Sequence, residues 1–271
     1  MKSYWQNIQL IAALGIVFFG NITYSPQLWA QSVTSRSASL KFTPPPPPPD
    51  RGAAGDRGGA ASRGCGIGNQ SLMALVPKYE QTLSREKTEE ISITKVWGLT
   101  TAEYPTFWFF VPYQNSSIAA MEFVLKDEST QPSQTVYRTP LIIPEIPGIV
   151  SVRLPATTAP LQIGKMYHWF FKVRVKCNPQ QPTKLEYVEG WVQPTNLNSA
   201  AIARLKQVTP QERIALYVEN GIWYDALTAL AELRIGNPKN TVLAADWTSL
   251  LKSVGLEHLA AQPLINCCSP K

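Results

Sequence analysis

Two histidines, His168 and His258, supply the only imidazoles in this 271-residue chain. Neither stands beside a serine or cysteine in a nucleophile-elbow or Cys-His context, and there is no His-Glu-x-x-His pair or phosphate-binding glycine loop. His168 falls in an expected strand and His258 in an expected terminal amphipathic helix, so each reads as a satisfied or surface imidazole rather than a catalytic base. Four cysteines, Cys65, Cys177, Cys267 and Cys268, contain no Cys-x-x-Cys spacing, which argues against a zinc ribbon or a thioredoxin-type site. No catalytic, cofactor-binding or metal-ligating set is assigned, and no cofactor is expected. Paired carboxylates can still build a hydrolase without leaving a motif. Glu189, in Val-Glu-Gly-Trp, is the candidate functional acid, because Val188, Trp191 and Val192 mark its strand as buried. Its plainer reading is a carboxylate held by a neighbouring cation or backbone donor. Tyr104, Tyr113 and Trp97 lie beside turns and would stack on sugar rings if exposed, although core burial is the favoured expectation.

The elements that must position these groups are short apolar runs separated by Pro, Gly, Asn and Gln. Strands are expected at 72–76, 91–96, 106–111, 119–126, 135–142, 149–154, 166–177 and 185–192. Such a series predicts a mostly β fold, an antiparallel, immunoglobulin-like sandwich over 69–195. Tyr167, Trp169, Phe171, Val173 and Val175 share one strand face, while His168, Lys172, Arg174 and Lys176 share the other, which predicts one buried and one wetter side. Phe107, Phe109 and Val111 alternate with Trp108 and Phe110, so this strand is apolar on both faces and needs two covers.

A second cover is expected from helices over 196–263. Thr209, Pro210 and Glu212 form an N-cap, a first-turn proline and a capping-box acid, opening a helix that Gly221 ends. A second helix carries Trp223, Ala226, Leu227, Leu230 and Leu233. A third carries Leu243, Trp247, Leu250 and Leu251, with Gly255 as its C-cap. The spacing of Gly221, Ala226, Leu230 and Pro238 resembles the second half of a tetratricopeptide repeat. Roughly three repeats are needed for a self-supporting solenoid, so one repeat must lean on the sandwich. Residues 264–271 read as an exposed tail in which Cys267 and Cys268 are open to intermolecular linkage.

The N-terminus carries the address. Lys2 and a polar lead precede an apolar run from Ile8 to Gly20, and Ala30 stands at a cleavage point. A bilayer crossing needs roughly 20 apolar residues, so 1–30 reads as a cleaved signal peptide and no membrane span is expected after cleavage. An uncut segment would instead be a tether. Pro44 to Pro49 predict a stiff polyproline II rod within a Pro/Gly-rich linker over 31–68. The net charge is +6, but Arg36, Lys41, Arg51, Arg57 and Arg63 against Asp50 and Asp56 leave +3 of it in that linker. The folded part is nearly neutral, so no nucleic-acid partner is expected.

The ordered blocks PPPPPP, RGAAGDRGG, RGCG, LMALVP, PTFWFFVPY, EFVLKDE, PGIVSVRLP, GKMYHWFFKVRVKCNP, VEGW, ERIALYVENGIWYDALTALAEL and DWTSLLKSVGL resemble the cyanobacterial domain of unknown function 928 family. The resemblance covers nearly everything after Pro44. It implies an exported bacterial protein, periplasmic or extracellular, and implies no activity or catalytic residue. Cys65 and Cys177 sit inside family-like blocks. In an oxidising compartment they are expected to pair, closing a long loop worth about 4 to 5 kcal/mol in the chain-entropy picture. The function expected is a non-enzymatic binding or assembly module with a protein or envelope polysaccharide partner. The alternative is an envelope glycan hydrolase using carboxylates that the fold brings together.

Overall fold

The computed structural model describes residues 40–46, 55–58, 66, 68, 70–85, 89–178 and 180–268. The expected signal peptide and half of the expected proline rod, Pro47 to Pro49, lie outside the described residues. Among the described residues, nine strands precede four α-helices: β1 (Met73–Ala74), β2 (Lys78–Arg85), β3 (Glu89–Thr100), β4 (Thr106–Val111), β5 (Ile118–Asp127), β6 (Gln134–Pro140), β7 (Gly148–Arg153), β8 (Tyr167–Val175), β9 (Lys184–Pro194), α1 (Ser199–Leu205), α2 (Pro210–Glu219), α3 (Trp223–Gly236) and α4 (Thr241–Lys252). They form a three-stranded sheet, β1-β4-β7, and a six-stranded sheet, β2-β3-β9-β8-β5-β6. Pairing is antiparallel except where β3 runs parallel to β9, from Trp97 opposite Trp191 to Thr100 opposite Pro194. That parallel pair departs from the antiparallel expectation. The general class, mostly β with helices and two facing sheets, agrees with it.

Aromatic side chains fill the space between the sheets. Phe109 of β4 stacks on Phe171 of β8 with ring centroids 4.1 Å apart, and Phe107 lies 4.9 Å from Phe123 of β5. Every residue of β4 is buried, as its two-sided apolar pattern requires. Its other face meets α3, where Trp108 Nε1 donates to Thr228 Oγ1 at 3.0 Å. Trp223 Nε1 donates to the Leu75 carbonyl at 2.8 Å, so α3 is fixed to the strands at both ends of its first turns. Helix α2 begins with the expected capping box between Thr209 and Glu212. Gly221 then takes a φ of 71°, a left-handed turn that an ordinary side chain adopts only with strain. Among the described residues, no helix is long and apolar enough to cross a membrane.

Two pieces of the stretch expected as a linker lie on the folded body. Phe42 is buried and meets Trp223 edge-on at 4.9 Å, and Ser249 Oγ donates to the Leu40 carbonyl at 3.1 Å. Residues 55–58 run between elements of both sheets. Gly55 N donates to Thr94 O at 3.2 Å, Glu189 N donates to Asp56 O at 2.8 Å, and Ala74 N donates to Arg57 O at 2.8 Å. The segment thus fills the gap where β3 and β9 have not yet met, then crosses to β1. Arg57 Nη1 donates to the carbonyls of Val76 and Val254, and burial lowers its pKa to about 10.

The C-terminal residues are not an exposed tail as far as Cys268. Ile149 N donates to Pro263 O and Ile265 N donates to Ile149 O, both at 2.8 Å, so the segment extends the edge of β7. Cys268 is 1% exposed and is disulfide-bonded to Cys267. Apolar contact at the β7 edge explains the departure, because Leu264, Ile265 and Cys267 all pack against the main core.

Candidate binding surface

Strand alternation decides which side chains of the six-stranded sheet reach solvent. On β8, Tyr167, Trp169, Phe171, Val173 and Val175 are buried, and His168, Phe170, Lys172 and Arg174 occupy the outer face. Register then places the neighbours. Phe170 is opposite Val124 of β5 and Glu189 of β9, and Val124 is in turn opposite Arg138 of β6. One level along, Lys172 lies between Glu122 and Tyr187; one level beyond that, Arg174 lies between Ala120 and Leu185. In the other direction His168 lies between Lys126 and Trp191. Directly opposed residues in such ladders are about 5 Å apart, so this is a contiguous lattice of side chains.

The lattice combines rings and cations. The Phe170 ring has Lys126 Nζ and Lys172 Nζ each 5.5 Å from its centroid. Tyr187 and Leu185 are 49% and 44% exposed, high values for large apolar side chains within a paired strand. Two adjoining depressions, of about 310 and 250 Å³, open on this face and share Lys172 and Leu185 as walls. Glu122 lies 3.6 Å from Arg138 and 3.9 Å from Lys172, long contacts that neutralise these cations only in part.

Glu189, the candidate acid, sits at one edge of this surface. Its Oε2 is 3.3 Å from His168 Nε2, and the His168 ring stacks on Trp191 at 4.2 Å with 9° between planes. Burial, then the charge of Lys126, lowers the His168 pKa to about 4. Burial, then the charge of Asp56, raises the Glu189 carboxyl above its ordinary value. Both shifts favour the neutral forms, so the 3.3 Å contact is a polar contact rather than an ion pair, and Nε2 makes no aligned hydrogen bond. The sequence singled out Glu189 and separately set His168 on the wetter strand face. Only the β8–β9 register brings them together.

The other sequence candidates are placed elsewhere. Trp97 and Tyr113 are buried and Tyr104 packs against the core, in line with the core burial expected for them. Trp97 belongs with Met166 to a small separate cluster, flanked by Tyr79, Leu99 and Trp191, that covers the β2–β3–β9 side of the outer face. His258 lies exposed in a short 3-10 turn over Glu257–Leu259, not in an amphipathic helix. Cys177 is disulfide-bonded, and Cys65, its expected partner, lies outside the described residues. Among the described residues no group of three His, Cys, Asp or Glu is arranged to hold a metal ion. Phe170, Tyr187, Lys126 and Arg138 were not singled out from sequence; the one available signal was an aromatic among cations on the wetter face of β8.

A second cleft, of about 220 Å³, lies between the end of β3 and helices α2 and α3. Asp225 forms its floor and accepts hydrogen bonds from Thr100 Oγ1 at 2.6 Å, Thr101 Oγ1 at 2.5 Å and Thr101 N at 3.2 Å. Burial still raises its pKa against these lowering contacts. Arg153 pairs with Glu232 at the rim. The polar groups here are satisfied by one another and tie α3 to β3.

The architecture is thus that of a two-sheet, mostly β protein with a helical cover and an open outer sheet face. The chain belongs to the family described as Domain of Unknown Function (DUF928), whose model matches residues 56–264. Both ends of that span are structural: Asp56 lies in the strap between β3 and β9, and Leu264 forms the bridge to Ile149. No curated protein and no solved structure matches the chain.

Proposed function

We propose that this protein is an exported, non-enzymatic binding or assembly module of a cell envelope or periplasm. The outer face of β6-β5-β8-β9 is its recognition surface. The observation that carries the reading is the exposed lattice around Phe170 and Tyr187. Solvent-facing rings with cations beside them cost stability to display and add nothing to the inner core, which suits a surface that a partner covers. The N-terminal address and the Cys65–Cys177 disulfide belong to the same reading. Peptide mass mapping of unreduced protein should recover the two cysteines in one cross-linked fragment, and two free thiols there would remove the disulfide. The functional test is retention on a native envelope fraction by wild type and by Phe170→Ala/Tyr187→Ala, with folding checked by circular dichroism. Wild type should be retained and the variant released. Equal behaviour of the two would refute the reading.

One observation favours a second reading, glycan hydrolysis. Glu189 is a carboxyl driven toward its neutral form beside a second acid, Asp56, which is how a general acid is prepared. Release of reducing sugar ends by wild type, abolished by Glu189→Gln, would put the hydrolase first.

A further inference from the structure

We propose that the outer sheet face binds an acidic polysaccharide, whose sugar rings stack on Phe170 and Tyr187 while their carboxylates meet Lys126, Lys172, Arg138 and Arg174. The inference rests on the binding-module reading above and adds the ligand class.

Three observations select this occupant. The first is shape. The two depressions adjoin along the sheet rather than enclosing a volume, and the β8 row from His168 to Arg174 runs for about 20 Å at strand spacing. A linear chain of rings fits such a track, whereas one small molecule would be left mostly in solvent. The second is charge. Four cations face three carboxylates, Glu122, Glu189 and, beside His168 at one end, Glu128; burial already drives Glu189 toward neutral. Glu122 holds Arg138 and Lys172 only through long contacts, so a ligand carboxylate can take its place at little cost. Arginine and lysine suit carboxylates differently: Arg138 and Arg174 offer forked donors, and the two lysines act as point charges that move to suit.

The third is the interleaving of rings and charges. Lys126 and Lys172 stand on two sides of Phe170, and Tyr187 is directly opposite Lys172. A pyranose presents an apolar C–H face to a ring while its carboxylate projects sideways, so each stacking position has a cation beside it. A protein interface of ordinary kind keeps charges out of its centre, and here every level of the lattice carries one. Nucleic acid needs a denser basic track than a face with three carboxylates, on a folded part that is nearly neutral.

The experiment titrates the purified protein with polygalacturonate and alginate, with fully methyl-esterified polygalacturonate as the same backbone without charge, and with single-stranded DNA, read by calorimetry at two salt concentrations. Both acidic chains should bind, with affinity falling as salt rises, and the esterified chain should bind at least about tenfold more weakly. Lys126→Gln/Lys172→Gln, a surface change that leaves the core untouched, should weaken binding of the acidic chains about 5- to 30-fold, two partly exposed charge contacts being lost. Phe170→Leu should weaken the acidic and esterified chains alike. Equal binding of charged and esterified chains, tighter binding of DNA than of either acidic chain, or no binding of either acidic chain would each overturn the inference. These results leave the module reading standing if envelope retention still depends on Phe170 and Tyr187. Retention independent of that face would defeat the reading itself.

Discussion

Gly190→Ala tests how the core that carries this surface is built. A Cβ at residue 190 would lie 2.4 Å from Trp169 Cζ2 and 2.6 Å from Val96 Cγ1. Carbon atoms pack at about 3.5 Å or more, so the Trp169 ring must move by about 1 Å. It has nowhere to go. The ring is wholly buried, meets Phe109 edge-on at 5.5 Å, and its Nε1 donates to Tyr224 Oη at 2.8 Å. Tyr224 Oη donates onward to the Trp191 carbonyl at 3.0 Å. Overpacking of this kind costs about 1 to 3 kcal/mol, and a buried indole donor pulled from its acceptor costs about 1 to 3 kcal/mol more. The total, about 2 to 5 kcal/mol, is a large share of the roughly 5 to 15 kcal/mol that holds a domain folded. Equilibrium urea unfolding followed by tryptophan fluorescence should show a lower midpoint with an unchanged slope, and near-ultraviolet dichroism should show the altered Trp169 environment. Gly236→Ala is the control. Nothing lies within 4 Å of its Cβ position, so it should be neutral or stabilise α3 by up to about 1 kcal/mol. A loss below about 1 kcal/mol at Gly190, or equal losses at both sites, would refute the packing argument.

Three other perturbations have defined outcomes. Phe42→Ala removes the buried anchor of residues 40–46, and cleavage by trypsin after Lys41 should accelerate at least about tenfold, while protection at Lys41 equal to wild type would show that the anchor is dispensable. His168 has a folded pKa of about 4, below its ordinary value, so the unfolded chain binds more protons between about pH 6.5 and 4 and stability contributed by neutral His168 is lost as pH falls through that window. The loss should be about 2 to 3 kcal/mol after allowance for partial exposure, read as a smaller pH dependence of the urea midpoint in His168→Phe than in wild type; identical dependence would contradict it. Asp225→Ala takes the shared acceptor from Thr100 and Thr101 and should cost about 1 to 3 kcal/mol, with faster amide exchange at the end of β3 and the start of α3 than elsewhere.

Local pattern made much of the fold legible. The period-two alternation of β8, the two-sided apolar run of β4 and the capping box of α2 are short-range signals, and each appears where the sequence sets it. β2 was missed because Lys78–Arg85 has no apolar run to mark it, and its place at the sheet edge is set by pairing with β3. The role of 55–58 was hidden for a related reason. Gly, Asp and Arg there read as solvated chain, and only the splay between β3 and β9 gives their backbone groups partners. Cys267 and Cys268 looked like a loose end because their anchoring comes from a strand edge more than a hundred residues away.

The candidate surface divides in the same way. Sequence alone determined that β8 has a wet face, that Glu189 stands in an apolar strand and that nucleophile and metal motifs are missing, because residue type and strand period are local properties. Tertiary structure decided that Glu189 meets His168, that Lys126 and Lys172 flank Phe170, and that Trp97 and Tyr113 are buried. Register between strands far apart in the chain fixes who stands beside whom, and burial by distant elements shifts His168 and Glu189 toward their neutral forms. Neither is written in any single stretch of residues.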